Sequence, residues 1–227
     1  MAVAVRTYYL EGSPCAGKST VAAALAARHG LRVYSSDAEF GRHAEVADPA
    51  RAPTLARLRG MTWDAVFLRS RGPMVRDAVL ACAEAFVFVA ADLAALPPGP
   101  PVLAEGMALL PACVASLGPE ALAHAAWLVP APAFQRAHYA RRAWAGALAG
   151  QTADPAAAFE NWMRRDEVSA RLVRAQARRA GAAVRVVREG DPVEAVAAWA
   201  AERLGLAPDR DARPSRSARP LPNDSRS

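Results

Sequence analysis

The apolar positions of this chain fall into short runs that alternate with longer stretches of helical spacing. Arg6-Thr7-Tyr8-Tyr9-Leu10 is rich in β-forming residues and runs into a glycine loop, which predicts a first strand. The next segment, 18 to 28, is dominated by alanine and leucine and is followed by Gly30, the pattern of a helix closed by a left-handed cap. Residues 31 to 35, Leu-Arg-Val-Tyr-Ser, predict a second strand. Between Gly41 and Gly72 the pattern becomes irregular and polar. From Val75 onward, Val79, Cys82, Phe86, Val89, Leu93 and Leu96 recur at intervals of four and three, the mark of a helix with one buried face. Pro97-Pro98-Gly99-Pro100-Pro101 stops it, and Val102-Leu103-Ala104 is short and apolar enough for a buried strand.

Ala125-Ala126-Trp127-Leu128-Val129 predicts a fourth strand, 131 to 181 a helical stretch interrupted near 146 to 155, and Val184-Arg185-Val186-Val187 a fifth strand. A last helix follows, with Asp191 as its cap, Pro192 in its first turn, Glu194 completing a capping box, and an end near Gly205. Strands alternating with helices imply an α/β fold with a parallel sheet, right-handed crossovers and ligands at the carboxyl ends of the strands.

Composition narrows the class. At 227 residues, 53% hydrophobic and 22% charged, the chain fits one folded α/β unit over 1 to 206, able to bury roughly 70% of its surface. From 207 the Pro, Ser, Arg and Asp composition lacks periodicity, which predicts a disordered tail. The apolar stretch from 78 to 96 is broken by Glu84 and Asp92, which argues against a membrane span, and the start of the chain lacks a secretory pattern, so a cytoplasmic location is expected. Cys15, Cys82 and Cys113 are an odd number without ligand spacing, and neither a disulfide framework nor a zinc site is predicted. Of the net charge of +6, the tail carries +2, from five arginines and three aspartates. The remainder suits an anionic ligand but is weaker than the basic stripe of a nucleic-acid binder.

The chemistry concentrates in Gly12-Ser13-Pro14-Cys15-Ala16-Gly17-Lys18-Ser19-Thr20, which fills the pattern G-x-x-x-x-G-K-S/T. Glycines let the backbone curl so that successive N–H groups face phosphate oxygens, and the helix that follows adds its positive end. Lys18 is positioned to reach the β- and γ-phosphates, and Ser19 to ligate Mg²⁺. Lys18 is also the only lysine among 28 basic residues. A chain that otherwise uses arginine keeps a compact ammonium at the one place where it must fit between phosphates.

Three further groups accompany this loop. Asp37, just past the second strand, is a candidate general base toward an attacking hydroxyl, or else a cap for a helix beginning at Ala38. Glu105 closes the third strand in the manner of a Walker B acid, to hold Mg²⁺ through water or to contact substrate, or else is simply the polar residue at which a buried strand leaves the core. Arg136, Arg141 and Arg142 follow the fourth strand, where a guanidinium could close over the transferring phosphoryl, or could belong to a solvated basic face; Arg164 and Arg165 are a second choice. Arg42, Arg51, Arg57, Arg59, Arg69 and Arg71 lie in the 41 to 72 insertion, which is read as covering the substrate site. The four histidines show no metal or triad spacing, and Cys15 sits where a helix N-terminus can lower a thiol pKa.

These residues resemble the small P-loop kinases: shikimate, gluconate, nucleoside and nucleotide kinases and chloramphenicol phosphotransferase. The resemblance implies a three-layer P-loop NTPase fold with a five-stranded parallel sheet, Mg-ATP as donor, a small-molecule hydroxyl or phosphate as acceptor, and a mobile lid spanning about 131 to 166. By the same resemblance Asp37 contacts the acceptor, and adenine lies between a lid arginine, here Arg136, and the loop Gly190-Asp191-Pro192. The arginines of the insertion point to an anionic acceptor. A nucleotide-dependent switch acting on a protein partner is a second reading, weakened for GTP by the lack of an N/T-K-x-D motif, and a kinase of nucleic-acid ends a third.

Overall fold

The computed structural model describes residues 5–206; the tail expected from 207 onward lies outside the described residues. Five strands, β1 (Thr7–Gly12), β2 (Arg32–Ser35), β3 (Val102–Glu105), β4 (Ala125–Pro130) and β5 (Ala183–Val187), form one sheet in the order β2-β3-β1-β4-β5, with every neighbouring pair parallel. The five predicted strands are all present, within a residue or two of their expected ends.

Strand periodicity divides the core into two layers. Tyr8 and Leu10 of β1 face one way, onto α1 (Lys18–His29) and α11 (Val193–Leu204). Tyr9 faces the other way, with Trp127 of β4, onto α5 (Arg71–Ala94) and α10 (Pro155–Arg179). All six positions of β4 are buried, as a strand covered on both faces requires. Trp127 is wholly enclosed and donates its indole N–H to the Leu109 carbonyl at 3.1 Å, which satisfies the one polar atom it carries into the core.

The predicted stripe on α5 is only partly the core contact. Phe86 and Val89 are buried, Val79, Cys82 and Leu93 pack against the same cluster while half-buried, and Leu96 lies past the helix end. The small Ala81 and Ala85 take the closest positions, because the neighbouring helices approach there.

The 41 to 72 insertion is more ordered than its composition predicts. After α2 (Ser36–Glu45) it contains α3 (Pro53–Arg59) and α4 (Trp63–Phe67). These short helices lack local periodicity and are held by distant groups. The Glu84 carboxylate of α5 accepts the free N–H groups of Thr54 and Leu55 at 3.1 and 2.8 Å, and Arg59 donates to the Ala44 and Glu45 carbonyls at the end of α2. Asp92 of α5 accepts from Tyr34 of β2 at 2.6 Å, from His43 of α2 at 2.9 Å and from Arg42, tying this face together.

Other departures are local. α6 (Pro111–Ser116) and α7 (Pro119–Ala123), each opened by proline, occupy a segment with no expected element. The helical stretch after β4 resolves into α8 (Pro132–Ala140), α9 (Ala143–Ala149) and α10. The capping box at 191 to 194 does not form. Pro192 is the cap residue, and the Asp191 carboxylate turns back to accept the Arg188 N–H at 2.8 Å.

Leu10 is fully buried in the central strand, so Leu10→Ala should lower stability by about 2–5 kcal/mol. Urea denaturation should show an earlier midpoint with an unchanged slope.

Candidate active site

The phosphate loop owes its path to a close approach of two strands. A Cβ atom on Gly12 would lie 1.5 Å from the Leu128 carbonyl oxygen, so only glycine allows β1 to end so near β4. The next residue secures the turn, Ser13 N–H donating to that same carbonyl at 3.1 Å. Cys15 then takes a left-handed conformation, φ 65°, the sole non-glycine residue to do so among the described residues. Gln135 of α8, itself buried, donates to the Pro14 carbonyl at 3.2 Å and braces the loop from the far side.

This curled segment presents donors. Among the described residues the N–H groups of Cys15 and Gly17 meet no acceptor, and the first turn of α1 leaves its own N–H groups free at the positive end of the helix. Lys18 is 5% exposed and rests its ammonium on the Ser13 carbonyl at 3.2 Å, folded across the mouth of the loop. An anion of phosphate geometry would meet amides and ammonium together.

Two acids stand beside the loop. Glu105 is buried at 2% exposure, and the parallel register places Ser35 and Leu10 level with it on the flanking strands. Ser35 Oγ donates to one carboxylate oxygen at 2.5 Å and Ser19 Oγ to the other at 3.0 Å. Ser19 therefore turns its proton toward Glu105 and its lone pairs outward, a donor set that suits a hard cation ligated by Ser19 with Glu105 behind it. Asp37 lies inside α2, whose cap is Ser35, accepting from Ala38 N–H at 3.4 Å. The capping alternative for Asp37 thus goes to another residue. One Asp37 oxygen accepts the Met107 N–H at 2.6 Å, and the second pairs with nothing among the described residues. Gly106 permits this approach, since a Cβ there would lie 2.2 Å from Ser36 Oγ and 2.7 Å from Asp37 Oδ1.

A third acid, Glu11, was not singled out by sequence reasoning. It shares the strand face of Tyr9 and is 2% exposed, yet its Oε2 atom has no hydrogen-bond partner among the described residues. Burial raises its pKa well above the usual carboxylate range; Lys18 opposes that shift and Asp37 adds to it. The available signal was a charged residue in the inward-facing register of an otherwise apolar central strand.

These groups open onto two adjoining cavities. One, of about 360 Å³, is lined by Lys18, Ser19, Thr20, Asp37, Arg142 and Trp144 among others. The second, of about 420 Å³, has Glu11 in its wall and is otherwise mainly apolar. Pro14, Met107 and Arg165 belong to both. Arg165 bonds Asp166 at 2.7 and 2.8 Å and lies 5.8 and 5.9 Å from the ring centres of Phe67 and Trp162.

The expected lid arginines separate. Arg142 lines the first cavity, is exposed, and has no carboxylate within 4 Å among the described residues. Arg141 is exposed and lines neither cavity. Arg136 is engaged by Glu160 at 2.7 Å and Glu167 at 2.9 Å and also lines neither, as do Gly190, Asp191 and Pro192. Sequence reasoning also passed over Trp144, Trp162 and Tyr139, an aromatic cluster on the rim of the first cavity with ring centres 5.0–6.0 Å apart. Burial raises the Cys15 thiol pKa despite the nearby helix end and Arg142, so the thiol is held protonated.

No protein-family model matches the chain, and no curated protein matches it. Solved structures with a similar course include shikimate kinase from Acinetobacter baumannii in complex with shikimate, at 17% identity and TM-score 0.48, covering 89% of this chain and 92% of that one. An uncharacterized protein from Eubacterium ventriosum is similar at 11% identity and TM-score 0.46, over 89% and 99% of the two chains. A candidate kinase from Chloroflexus aurantiacus follows at 14% identity and TM-score 0.40, over 89% and 100%. The chain itself is a parallel α/β sheet covered by helices on both faces. No described helix is long and apolar enough to cross a membrane.

The raised pKa of Glu11 has a thermodynamic sign. The folded protein binds this proton more tightly than the unfolded chain, so the contribution is complete below the unfolded carboxyl pKa and is lost as pH rises through the folded value. Glu11→Gln should therefore gain stability relative to the parent as pH rises from 5 to 9, with the two converging near pH 4 in thermal unfolding.

Proposed function

We propose that the chain is an ATP-dependent kinase that transfers the γ-phosphoryl of Mg-ATP to a hydroxyl of a small-molecule acceptor. The observation that carries this reading is that Lys18, Ser19 and Asp37 line one cavity at the carboxyl edge of the sheet, with Glu105 directly behind Ser19. The loop from Gly12 to Thr20 holds the phosphates through its amides, and Lys18 shifts from the Ser13 carbonyl onto the β- and γ-phosphate oxygens.

Ser19 and Glu105 would hold Mg²⁺, which when bound neutralises charge on the phosphate oxygens. Asp37 is the general base. Met107 N–H fixes one of its oxygens and leaves the other to receive the acceptor's proton as that hydroxyl attacks in line. Arg142, with no carboxylate partner among the described residues, is our choice of lid arginine for closing over the transferring phosphoryl, and Arg165 stands between the two cavities. A second cavity joined to the phosphate cavity supports a metabolite kinase over a switch that acts on a protein partner, since a switch has no need of an acceptor chamber.

Two substitutions separate binding from chemistry. Lys18→Ala should weaken Mg-ATP binding at least tenfold by calorimetry. Asp37→Asn should leave that affinity within about twofold while reducing acceptor-dependent ADP release by about 10²–10⁴-fold. Equal loss of affinity and turnover in Asp37→Asn would remove it from the base role.

A further inference from the structure

We infer that the acceptor is a bulky, uncharged and largely apolar molecule, carrying the hydroxyl that is phosphorylated and a second hydrogen-bond donor that meets the unpartnered Oε2 of Glu11. The inference rests on the kinase reading and concerns the chemistry of its second cavity.

The first support is the wall itself. Phe40, Leu55, Leu58, Val66, Val79 and Leu172 contribute to a chamber of about 420 Å³, within the range of sites that enclose drug-sized ligands. A small polyhydroxylated acid would leave much of this surface without contacts, whereas an apolar ligand gains free energy over the whole of it.

The second support is the disposition of cations. The arginine-rich insertion led to the expectation of an anionic acceptor, but four of its six guanidinium groups are taken by the protein, and Arg51 and Arg71 do not line the cavity. Arg57 and Arg69 converge on Asp77 at 2.8 and 2.5 Å, Arg42 binds Glu39 and Asp92, and Arg59 caps the carbonyl end of α2. Of these six arginines only Arg59 reaches the cavity, and the other cation there, Arg165, is matched by Asp166. An anion entering would find Arg165 matched by Asp166 and Arg59 held on two backbone carbonyls, with the carboxyl groups of Glu11 and Asp166 in the wall.

The third support is Glu11. An acid buried at 2% exposure with an oxygen lacking any partner is a costly arrangement unless a ligand supplies the missing donor. Its position beside Gly12 and Ser13 places that demand near the junction with the phosphate cavity. Glu11 acts here as a positioning residue for the acceptor, while Asp37 remains the base.

The test uses the full chain and three readouts. N-phenyl-1-naphthylamine, neutral, apolar and carrying one N–H donor, should bind with enhanced fluorescence and be displaced by 2-(1-naphthyl)ethanol but not by millimolar shikimate or gluconate. Glu11→Leu should weaken the amine about tenfold while leaving 1-benzylnaphthalene, which has no donor, undiminished; a merely structural role would weaken both alike. ADP release from Mg-ATP should rise with naphthylethanol and other neutral aryl alcohols and stay at background with the two sugar acids. Binding of Mg-ATP without binding of the naphthylamine, or faster turnover of shikimate or gluconate than of any aryl alcohol, overturns the inference and leaves the kinase reading intact. Binding of the naphthylamine without Mg-ATP overturns the kinase reading, and the acceptor role of the cavity with it.

Discussion

At position 12 the central strand passes so close to its neighbour that a methyl group would overlap the Leu128 carbonyl. That contact fixes where β1 ends, turns Ser13 back onto the same carbonyl, and obliges the chain to curl before it can enter α1. The left-handed Cys15, the unpaired amides of Cys15 and Gly17, and the inward-folded Lys18 are consequences of the curl. Because the strands are parallel, Asp37, Glu105 and the helix carrying Gln135 leave the sheet at the same edge. The site is assembled by the direction of the sheet and by one steric exclusion within it.

Two glutamates buried to the same degree show how that edge divides its labour. Glu105 meets two serine hydroxyls, one from β2 and one from α1, so its charge is satisfied and its geometry fixed before any ligand arrives. Glu11, one strand away and on the α5 and α10 side, has an oxygen with no partner and a proton held by burial. A satisfied acid of this kind holds two elements in register. An unsatisfied one bordering a cavity costs stability in the free protein and recovers it only in a complex.

Sequence patterning was sufficient for the sheet because each strand is a short apolar run bounded by glycine, proline or polar residues, and these signals are local. The curl of residues 12–20 was legible for the same reason: its glycine spacing is fixed within nine consecutive residues. Asp37 and Glu105 stood out by position, Asp37 just past the second predicted strand and Glu105 at the close of the third, and both come to the same edge of the sheet. What escaped notice depends on partners far along the chain. α3 is capped by Glu84, about thirty residues away, Gln135 reaches back more than a hundred residues to Pro14, and the Asp191 carboxylate prefers the preceding turn to the helix it was expected to cap. Glu11 was within reach of alternation alone, which puts it on the face of Tyr9, but the predicted strand stopped one residue short of it at Leu10.

The insertion shows why a count of charges differs from a field. Six arginines between residues 42 and 71 read as an anion site when considered along the chain. In the fold, α5 brings Asp77 and Asp92 up beneath Arg57, Arg69 and Arg42, and a guanidinium paired with a carboxylate projects little potential into the neighbouring space. Arg42, Arg57, Arg59 and Arg69 are the fasteners that let short, weakly helical segments stand as the wall of a chamber, and their apolar neighbours Leu55, Leu58 and Val66 face its interior. Charge spent on building a wall is not available to recognise a ligand, so the chemistry of recognition passes to the surfaces left over. Here those are mainly hydrocarbon, with Glu11 as the acid that no cation pairs among the described residues.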